Sequence, residues 1–280
     1  MKKIAWITDS SSGLSAEFIA EKNIYVLPLN VIVGGVSYKE NIDLTTEAFY
    51  EKLKEHGEGA KTSQPAFGEF IELYEQLKEE YDCGIAIHAS SELTGTYQSS
   101  VEAARQTGFP VEVIDSRIGA YALGKMVSRG IELEEAGTAY EDILAALRGY
   151  PEKAEMYLLP QSLGQLKRSG RLSTTQMIFA SLLNVFLILA FDNGKVVLKD
   201  KIRTKRKAEK KLFEIIGMAI DTWRLEEISI MHAGVPSEAQ SWKQRLEQLH
   251  GRVVFKIETL VPVAGVHTGF GTMAVSWLKG

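Results

Sequence analysis

The segment Ile85–Ser100, with the sequence IAIHASSELTGTYQSS, combines a strand pattern, a polar loop and a helix pattern. Its apolar start is typical of a buried strand, and apolar residues recur at helical spacing from Tyr97 onward. The loop between them carries hydroxyl groups at Ser90, Ser91, Thr94 and Thr96. A helix start leaves backbone N–H groups unpaired and carries the positive end of the helix dipole. The segment therefore predicts an α/β unit that can hold an anion at its loop.

Strand and helix patterns alternate along the first half of the chain. Strands are predicted at 4–8, 24–29, 83–88 and 111–114, with helices at 46–56 and 66–81 and further helices from 95 and 118. This alternation is typical of a mostly parallel sheet covered by helices. A second unit is predicted to begin near Glu155–Leu159. We therefore expect two α/β domains, residues 1–155 and 156–280, with mostly parallel sheets and a cleft between them that suits a ligand.

Composition and charge exclude some classes of function. The 280 residues carry a net charge of −4, so nucleic-acid binding is not expected. Cys83 is the single cysteine and excludes an intramolecular disulfide. The apolar segment 177–191 is too short to span a bilayer and leads into Asp192-Asn193-Gly194, which predicts a hairpin turn. The N-terminus lacks the apolar core of a signal peptide, so we expect a cytoplasmic protein.

The loops at the predicted strand ends are rich in hydroxyl groups and glycines. In open α/β sheets, ligands bind at the carboxyl ends of the strands. We therefore expect a shared polar site to which these loops contribute Ser10, Ser63, Gly95, Thr96, Ser116 and Gly269. Helix capping is the alternative interpretation of each loop taken alone. Phosphate-loop, dinucleotide, nucleophile-elbow and zinc motifs are missing from the sequence, and no cofactor or metal is expected.

Several short motifs, taken together, resemble the DegV family over essentially the whole chain. They are Thr8-Asp9-Ser10-Ser11, Thr62-Ser63-Gln64-Pro65, Gly95-Thr96-Tyr97-Gln98-Ser99, Ile114-Asp115-Ser116, Leu166-Lys167-Arg168-Ser169-Gly170-Arg171, Ile202-Arg203-Thr204 and His267-Thr268-Gly269. The resemblance implies a bacterial fatty-acid-binding protein with a buried ligand tunnel between two α/β domains. It also implies a partner, a separate ATP-dependent fatty acid kinase that makes an acyl phosphate.

The resemblance also implies roles for individual residues. Thr62, Thr94 and His267 would bind the carboxylate of a long-chain fatty acid, with Thr94 standing where the family usually has serine. Arg171 and Arg203 would take part in kinase docking or in compensating the negative charge of a phosphate group. Two departures from the family pattern are Phe270, where proline is common, and Phe186-Leu187, which replaces a more usual Lys-Pro. They leave the preferred chain length and saturation open.

The apolar segment and the basic run that follows it each allow two interpretations. Part of the segment is a candidate tunnel wall, with ordinary core packing as the alternative, and comprises Ile178, Phe179, Leu182, Leu183, Phe186 and Ile188. The run Lys199–Lys211 is either a solvated face or a docking surface for an acidic partner or, transiently, for an anionic membrane.

Three hypotheses for the function follow from these observations. The leading one is a lipid carrier without catalytic activity, because hydroxyl loops occur without acid–base machinery. The second is a stand-alone phosphoryl or acyl transferase that holds a small anionic substrate at Thr94–Thr96. The third, weaker one is a regulatory module that binds nucleic acid through Lys199–Lys211.

Overall fold

The computed structural model describes residues 2–161, 163–171 and 185–279, which form an α/β structure with three sheets. The described strands are β1 Ile4–Asp9, β2 Tyr25–Leu27, β3 Asn30–Val33, β4 Val36–Lys39, β5 Lys61–Ser63, β6 Cys83–His88, β7 Val111–Asp115, β8 Ala154–Leu159, β9 Phe186–Asp192, β10 Lys195–Ile202, β11 Glu227–His232, β12 Val254–Thr259 and β13 Met273–Leu278. The described helices are α1 Ala16–Glu21, α2 Thr46–His56, α3 Phe67–Glu80, α4 Thr96–Thr107, α5 Ala120–Glu135, α6 Tyr140–Gly149, α7 Leu163–Ser169, α8 Lys205–Trp223, α9 Pro236–Leu249 and α10 Pro262–Thr268.

The four-stranded sheet has the order β2-β1-β6-β7, and all its pairings are parallel. Its central strands β1 and β6 are buried along their whole length, as expected for a parallel sheet covered on both faces. Because the strands are parallel, their carboxyl ends meet at one edge. Asp9, His88 and Asp115 end three of them, and the hydroxyl loops predicted to form the site follow there.

The six-stranded sheet corrects the expectation of mostly parallel sheets. Its order is β10-β9-β8-β13-β11-β12, and only β11 and β12 pair in parallel. The hairpin at Asp192-Asn193-Gly194 is confirmed, with positive φ angles of 47° at Asn193 and 81° at Gly194. Strand β13 pairs with β8, far away in sequence, and such a pairing leaves no local pattern. The domain boundary near residue 155 remains a prediction.

A small antiparallel sheet, β4-β3-β5, lies beside the parallel one and positions the first candidate site residue. Strand β5 pairs with β3 in a register that sets Thr62 opposite Val31 and Ser63 opposite Asn30. The side chain of Val31 is buried in the core, whereas Thr62 is half-buried. The pairing therefore holds Thr62 at the boundary between core and solvent.

Helix α5 lies between the parallel sheet and the six-stranded sheet and contacts strands of both. Its apolar residues belong to one continuous core with side chains such as Ile87 from β6 and Leu158 from β8. Helices α8 and α9 cover the opposite face of the six-stranded sheet, and α3 and α4 cover the outer face of the parallel sheet. The result is a layered structure in which α5 is shared between two sheets.

A buried carboxyl group connects three segments that are distant in sequence. Glu40 is 2% exposed and accepts hydrogen bonds from the Ser10 hydroxyl and, at 2.7 Å, from the backbone N–H of Val263 at the start of α10. Burial raises the pKa of Glu40 to about 7, although both hydrogen bonds act in the opposite direction. The protonation state of Glu40 is thus coupled to the stability of this junction.

We expect the substitution Glu40→Gln to remove a pH dependence of stability. Because the pKa of Glu40 rises from 4.5 to about 7 on folding, the folded state keeps a proton that the unfolded state loses between these values. The free energy of unfolding of the wild type should therefore fall as pH rises through this window, by about 3 kcal/mol from this group. Denaturant unfolding at pH 5 and pH 8 measures the effect. Glu51→Gln, at an exposed position, is the control, and an equal pH dependence of both variants would contradict the prediction.

Candidate functional site

A cavity of about 190 Å³ lies between the carboxyl edge of the parallel sheet, α10 and the inner face of the six-stranded sheet. Its wall is mostly apolar and draws on both halves of the chain. The apolar part comprises Leu29, Ala89, Leu93, Ile118, Ala120, Met156, Leu158, Leu166, Phe191, Val196, Leu260, Val261, Val263 and Ala264. The polar part comprises Ser11, Thr62, Ser63, Gln64, Thr94, Arg171, His267 and Thr268, together with the glycines Gly95 and Gly119.

The structure brings together all three residues predicted to bind a carboxylate. Thr62, Thr94 and His267 all lie on the cavity wall. The Thr62 hydroxyl and His267 Nε2 share a hydrogen bond of 2.9 Å. Contrary to the sequence-based expectation of loops, Thr62 lies on β5 and His267 in α10. Regular structure therefore fixes the backbone on both sides of this hydrogen bond.

The imidazole of His267 is neutral at physiological pH. Burial lowers its pKa to about 4, and the nearby positive charge of Arg171 acts in the same direction. A neutral ring has one N–H donor and one acceptor nitrogen. Nε2 faces Thr62, while Nδ1 is shielded from solvent and has no hydrogen-bond partner among the described residues. If Nε2 carries the proton, it donates to the Thr62 oxygen, and the Thr62 hydroxyl can donate to a ligand. If Nδ1 carries the proton, the Thr62 hydroxyl donates to Nε2, and the Nδ1–H group can donate to a ligand.

Three buried side chains hold α10 in position and were not predicted as site residues. Glu40 binds the backbone of Val263, and the Tyr50 hydroxyl donates a hydrogen bond of 2.7 Å to the carbonyl oxygen of Leu260. Gln165 of α7 donates one of 2.6 Å to the carbonyl oxygen of Val266, next to His267. Buried polar groups need such partners. No local pattern marks these residues, because each partner lies at least a hundred positions away.

The start of α4 forms a second part of the polar wall. The hydroxyls of Thr94 and Thr96 are 2.8 Å apart, and Thr96 is fully buried behind Thr94 without reaching the cavity. The Gln64 amide lies against Gly95, where a Cβ atom would come within 2.0 Å of its oxygen, and donates a hydrogen bond to Ser99. Gly95 thus permits the close approach of the β5 and α4 segments. Ser63 lies beside Thr62 on the same wall.

Besides Thr96, three further predicted supporting residues lie away from the cavity wall. Ser10 binds Glu40 and the backbone N–H of Leu29. Ser116 exchanges hydrogen bonds with the backbone of Ile118 within its own loop. Gly269 ends α10 with a φ of 90°. These positions shape the loops around the cavity, which corrects the expectation that their side chains join one polar site.

The two arginines implied by the resemblance lie in different places. Arg171 lines the cavity, is exposed, and is close enough to His267 to lower its pKa. Arg203 follows the end of β10, is exposed, makes no ion pair with any described residue, and is not part of the cavity wall. Within the basic run, Lys205 pairs with Glu238 at 2.8 Å, so part of that charge is compensated.

Two of the six residues predicted as tunnel wall, Phe186 and Ile188, lie on β9 in the described part of the chain. Ile178, Phe179, Leu182 and Leu183 lie outside the described residues. Phe186 and Ile188 pack in the core under α8 and α9, on the opposite face of β9 from the cavity, and are corrected as wall residues. Side chains alternate between the faces of a strand, so Leu187 and Leu189 point the other way, and Phe191 reaches the cavity.

The cavity combines a buried apolar interior with a polar end at the protein surface. Ser63, Gly95 and Arg171 are exposed, whereas Met156, Leu158 and Leu260 on the apolar wall are at most 3% exposed. Such an arrangement suits an amphipathic ligand with one anionic end. No group of side chains suited to a metal ion occurs among the described residues. None of the described helices is long and apolar enough to cross a membrane.

Comparisons with known proteins agree on one family. The DegV family model matches residues 3–280. A DegV domain-containing protein of Listeria innocua is 36% identical over 278 residues, which cover 99% of this chain and 98% of that protein. The crystal structure described as DegV, a fatty acid binding protein from Bacillus subtilis, superposes with a TM-score of 0.89 at 32% identity and full coverage of both chains. A DegV family protein from Thermus thermophilus, whose structure is described by its fatty acid binding, gives a TM-score of 0.85 at 30% identity, with 99% of this chain and 100% of that chain covered.

We expect Arg171 to contribute to the low pKa of His267. Replacing Arg171 by Met removes a positive charge near the ring, so the pKa of His267 should rise from about 4 but stay below 6.5, because burial remains. A pH titration of the His267 ring followed by nuclear magnetic resonance measures this change. Arg168→Met removes a neighbouring exposed charge and is the control. Identical pKa values of His267 in both variants would contradict the assignment.

Proposed function

The chain belongs to the DegV family, and on that premise we propose that it binds a long-chain fatty acid and presents the carboxylate to a separate ATP-dependent kinase. The acyl chain occupies the apolar cavity, and the carboxylate lies at the polar end against Thr62, His267 and Thr94. In the kinase reaction, a carboxylate oxygen forms a bond to the γ-phosphorus of ATP and ADP leaves, which yields an acyl phosphate. The chain itself acts as a carrier.

The observation that carries this proposal is the Thr62–His267 pair at the surface end of an apolar cavity. A carboxylate that is partly removed from water needs hydrogen-bond donors, and a neutral imidazole and two hydroxyls supply them without a buried charge of their own. The exposed Arg171 adds a positive charge nearby. The carboxylate is therefore stabilised and remains within reach of a second protein.

The acyl chain supplies most of the binding free energy in this proposal. Each methylene group removed from water contributes about 0.8 kcal/mol, so a long chain outweighs the polar contacts. The polar contacts fix which end of the ligand faces outward. The relatives from Bacillus subtilis and Thermus thermophilus, whose structures are described by fatty acid binding, support this choice of ligand.

A stand-alone transferase is the second candidate. The first turn of α4, with Thr94 and Thr96 at its start, offers backbone N–H groups and hydroxyls to a phosphate. Turnover of ATP or of an acyl phosphate by the purified chain alone would favour this candidate. Strict dependence on an added kinase favours the carrier.

Native mass spectrometry of the protein purified from a bacterial host is the first test. We expect a single added mass that denaturing extraction identifies as a fatty acid, because an apolar cavity retains such a ligand through purification. A protein that carries no fatty acid and binds none on titration would refute the proposal.

We expect Thr62→Ala and His267→Ala to weaken fatty acid binding about tenfold to a hundredfold, because each removes a hydrogen bond to a charged group. Titration with a fluorescent fatty acid measures binding, and thermal melting measures stability. Thr62→Ser keeps the hydroxyl and is the matched control. A variant that unfolds, or one that binds as tightly as the wild type, would contradict a role in holding the carboxylate.

We expect Arg203→Ala to reduce acyl-phosphate formation in the presence of the kinase and ATP while leaving the bound fatty acid in place. Arg203 is exposed and lies outside the cavity wall, so its loss should affect docking or phosphate charge and not lipid binding. Lys210→Ala removes another exposed charge of the same basic run and serves as control. Loss of the lipid from the Arg203 variant would overturn this assignment.

A further inference from the structure

We infer that Met156 and Phe191 form the wall at which the acyl chain ends, and that these two side chains set the preferred chain length. The inference rests on the proposed fatty acid binding and adds the residues that select among fatty acids.

The second cavity is a polar cleft of about 540 Å³ next to the apolar one. Among the residues that the structure describes, Met156 and Phe191 line both. The cleft also carries charged groups such as Arg117, Asp192 and Lys199, all three of them exposed. Two side chains thus separate an apolar chamber from a charged, hydrated cleft.

The cleft exists because β8 and β9 pair over only part of their length. Their register joins Tyr157 to Ala190 and Leu158 to Leu189. The same register would set Met156 opposite Phe191, at the first position where the ladder no longer continues. Beyond it, Ala154 and Glu155 line one side of the cleft and Asp192 lines the other. Side chains, and not a hydrogen-bonded ladder, therefore close the sheet at this point.

Met156 lies away from the carboxylate end of the cavity. In the pairing of β8 with β13, Leu159 meets Met273 and Ala154 meets Leu278. Strand β13 follows α10 after a short turn, so the Leu159 end of β8 is the end nearest His267. Leu159 and Met156 are three positions apart, which corresponds to about 10 Å along a strand. The wall thus lies deeper along β8 than the polar end.

A contact between the two halves of the structure holds Phe191 in place. The Ser90 hydroxyl donates a hydrogen bond of 2.7 Å to the carbonyl oxygen of Gly194 at the tip of the β9–β10 hairpin. Lys195 and Glu92 form an ion pair of 3.6 Å beside it. In the hairpin, Phe191 pairs with Val196, which also lines the apolar cavity. The hairpin tip is therefore anchored, and the wall it carries is fixed.

An acyl chain that passed this wall would enter the more polar cleft, where its methylene groups would gain fewer apolar contacts than in the cavity. Each methylene group therefore adds affinity until the chain reaches Met156 and Phe191. Methylene groups beyond that length add little. Shortening one of the two side chains leaves the other as a barrier to the cleft and adds the vacated volume to the end of the cavity. Each further methylene that this space buries should tighten binding about fourfold.

The test compares the dissociation constants of palmitate, stearate and eicosanoate for the full-length protein and its variants. In Phe191→Ala and Met156→Ala, we expect the affinity for eicosanoate relative to palmitate to rise about tenfold over the wild type. Met156→Trp should shift the preference toward palmitate. Phe186→Ala is the matched control, because Phe186 lies on the same strand with its side chain on the opposite face.

The outcomes separate this inference from the proposed function. A wild type that binds none of the three fatty acids refutes the proposed function and this inference with it. A wild type that binds them while every folded wall variant keeps the wild-type order of affinities overturns the inference alone, as does an equal loss for all three chains. A shift of equal size in Phe186→Ala would also overturn it. Thermal melting identifies the folded variants, and Met156→Trp retains a full-sized side chain if the alanine variants unfold.

Discussion

The close packing of α5 between two sheets is the constraint on which the rest of the structure depends. Two glycines permit the close approach of α5 to β1 and to the turn that follows β1. A Cβ atom at Gly130 would lie 2.4 Å from the ring of Trp6, and one at Gly124 would lie 2.6 Å from the carbonyl oxygen of Ser12. Because α5 touches both sheets, a single apolar core runs through them. The cavity lies at the start of this helix, where Ile118, Gly119 and Ala120 contribute to its wall.

The site depends on buried polar contacts that cross between distant segments. Helix α10 is only seven residues long, too short to hold its position through its own hydrogen bonds. Glu40 and Gln165 bind its backbone, and Tyr50 binds the carbonyl oxygen of Leu260 just before it. A partly satisfied network of this kind would destabilise the fold, since each unpaired buried group costs about 1–3 kcal/mol. The position of His267 is thus a property of the whole junction.

Local patterns predicted much of the first half of the chain. The helix at 46–56 and the strand at 83–88 were predicted with their observed bounds, because apolar periodicity and capping residues act over a few neighbours. The DegV motifs led to Thr62, Thr94 and His267, which the structure places on one cavity wall. The antiparallel pairing of β8 with β13 and the helix around His267 were missed. Both depend on partners far away in sequence.

The amino-acid sequence by itself determined the α/β class, the hydroxyl loops at the strand ends, the hairpin at Asp192-Asn193-Gly194 and the membership of the DegV family. Tertiary structure decided which face of β9 meets the cavity, and so made Phe191 a wall residue while Phe186 and Ile188 joined the outer core. It also decided that the pKa of His267 is low and that of Glu40 is high. The physical reason is the range of the forces involved. Backbone preference and apolar periodicity act between near neighbours, whereas burial and electrostatic surroundings depend on every segment that folds against a residue.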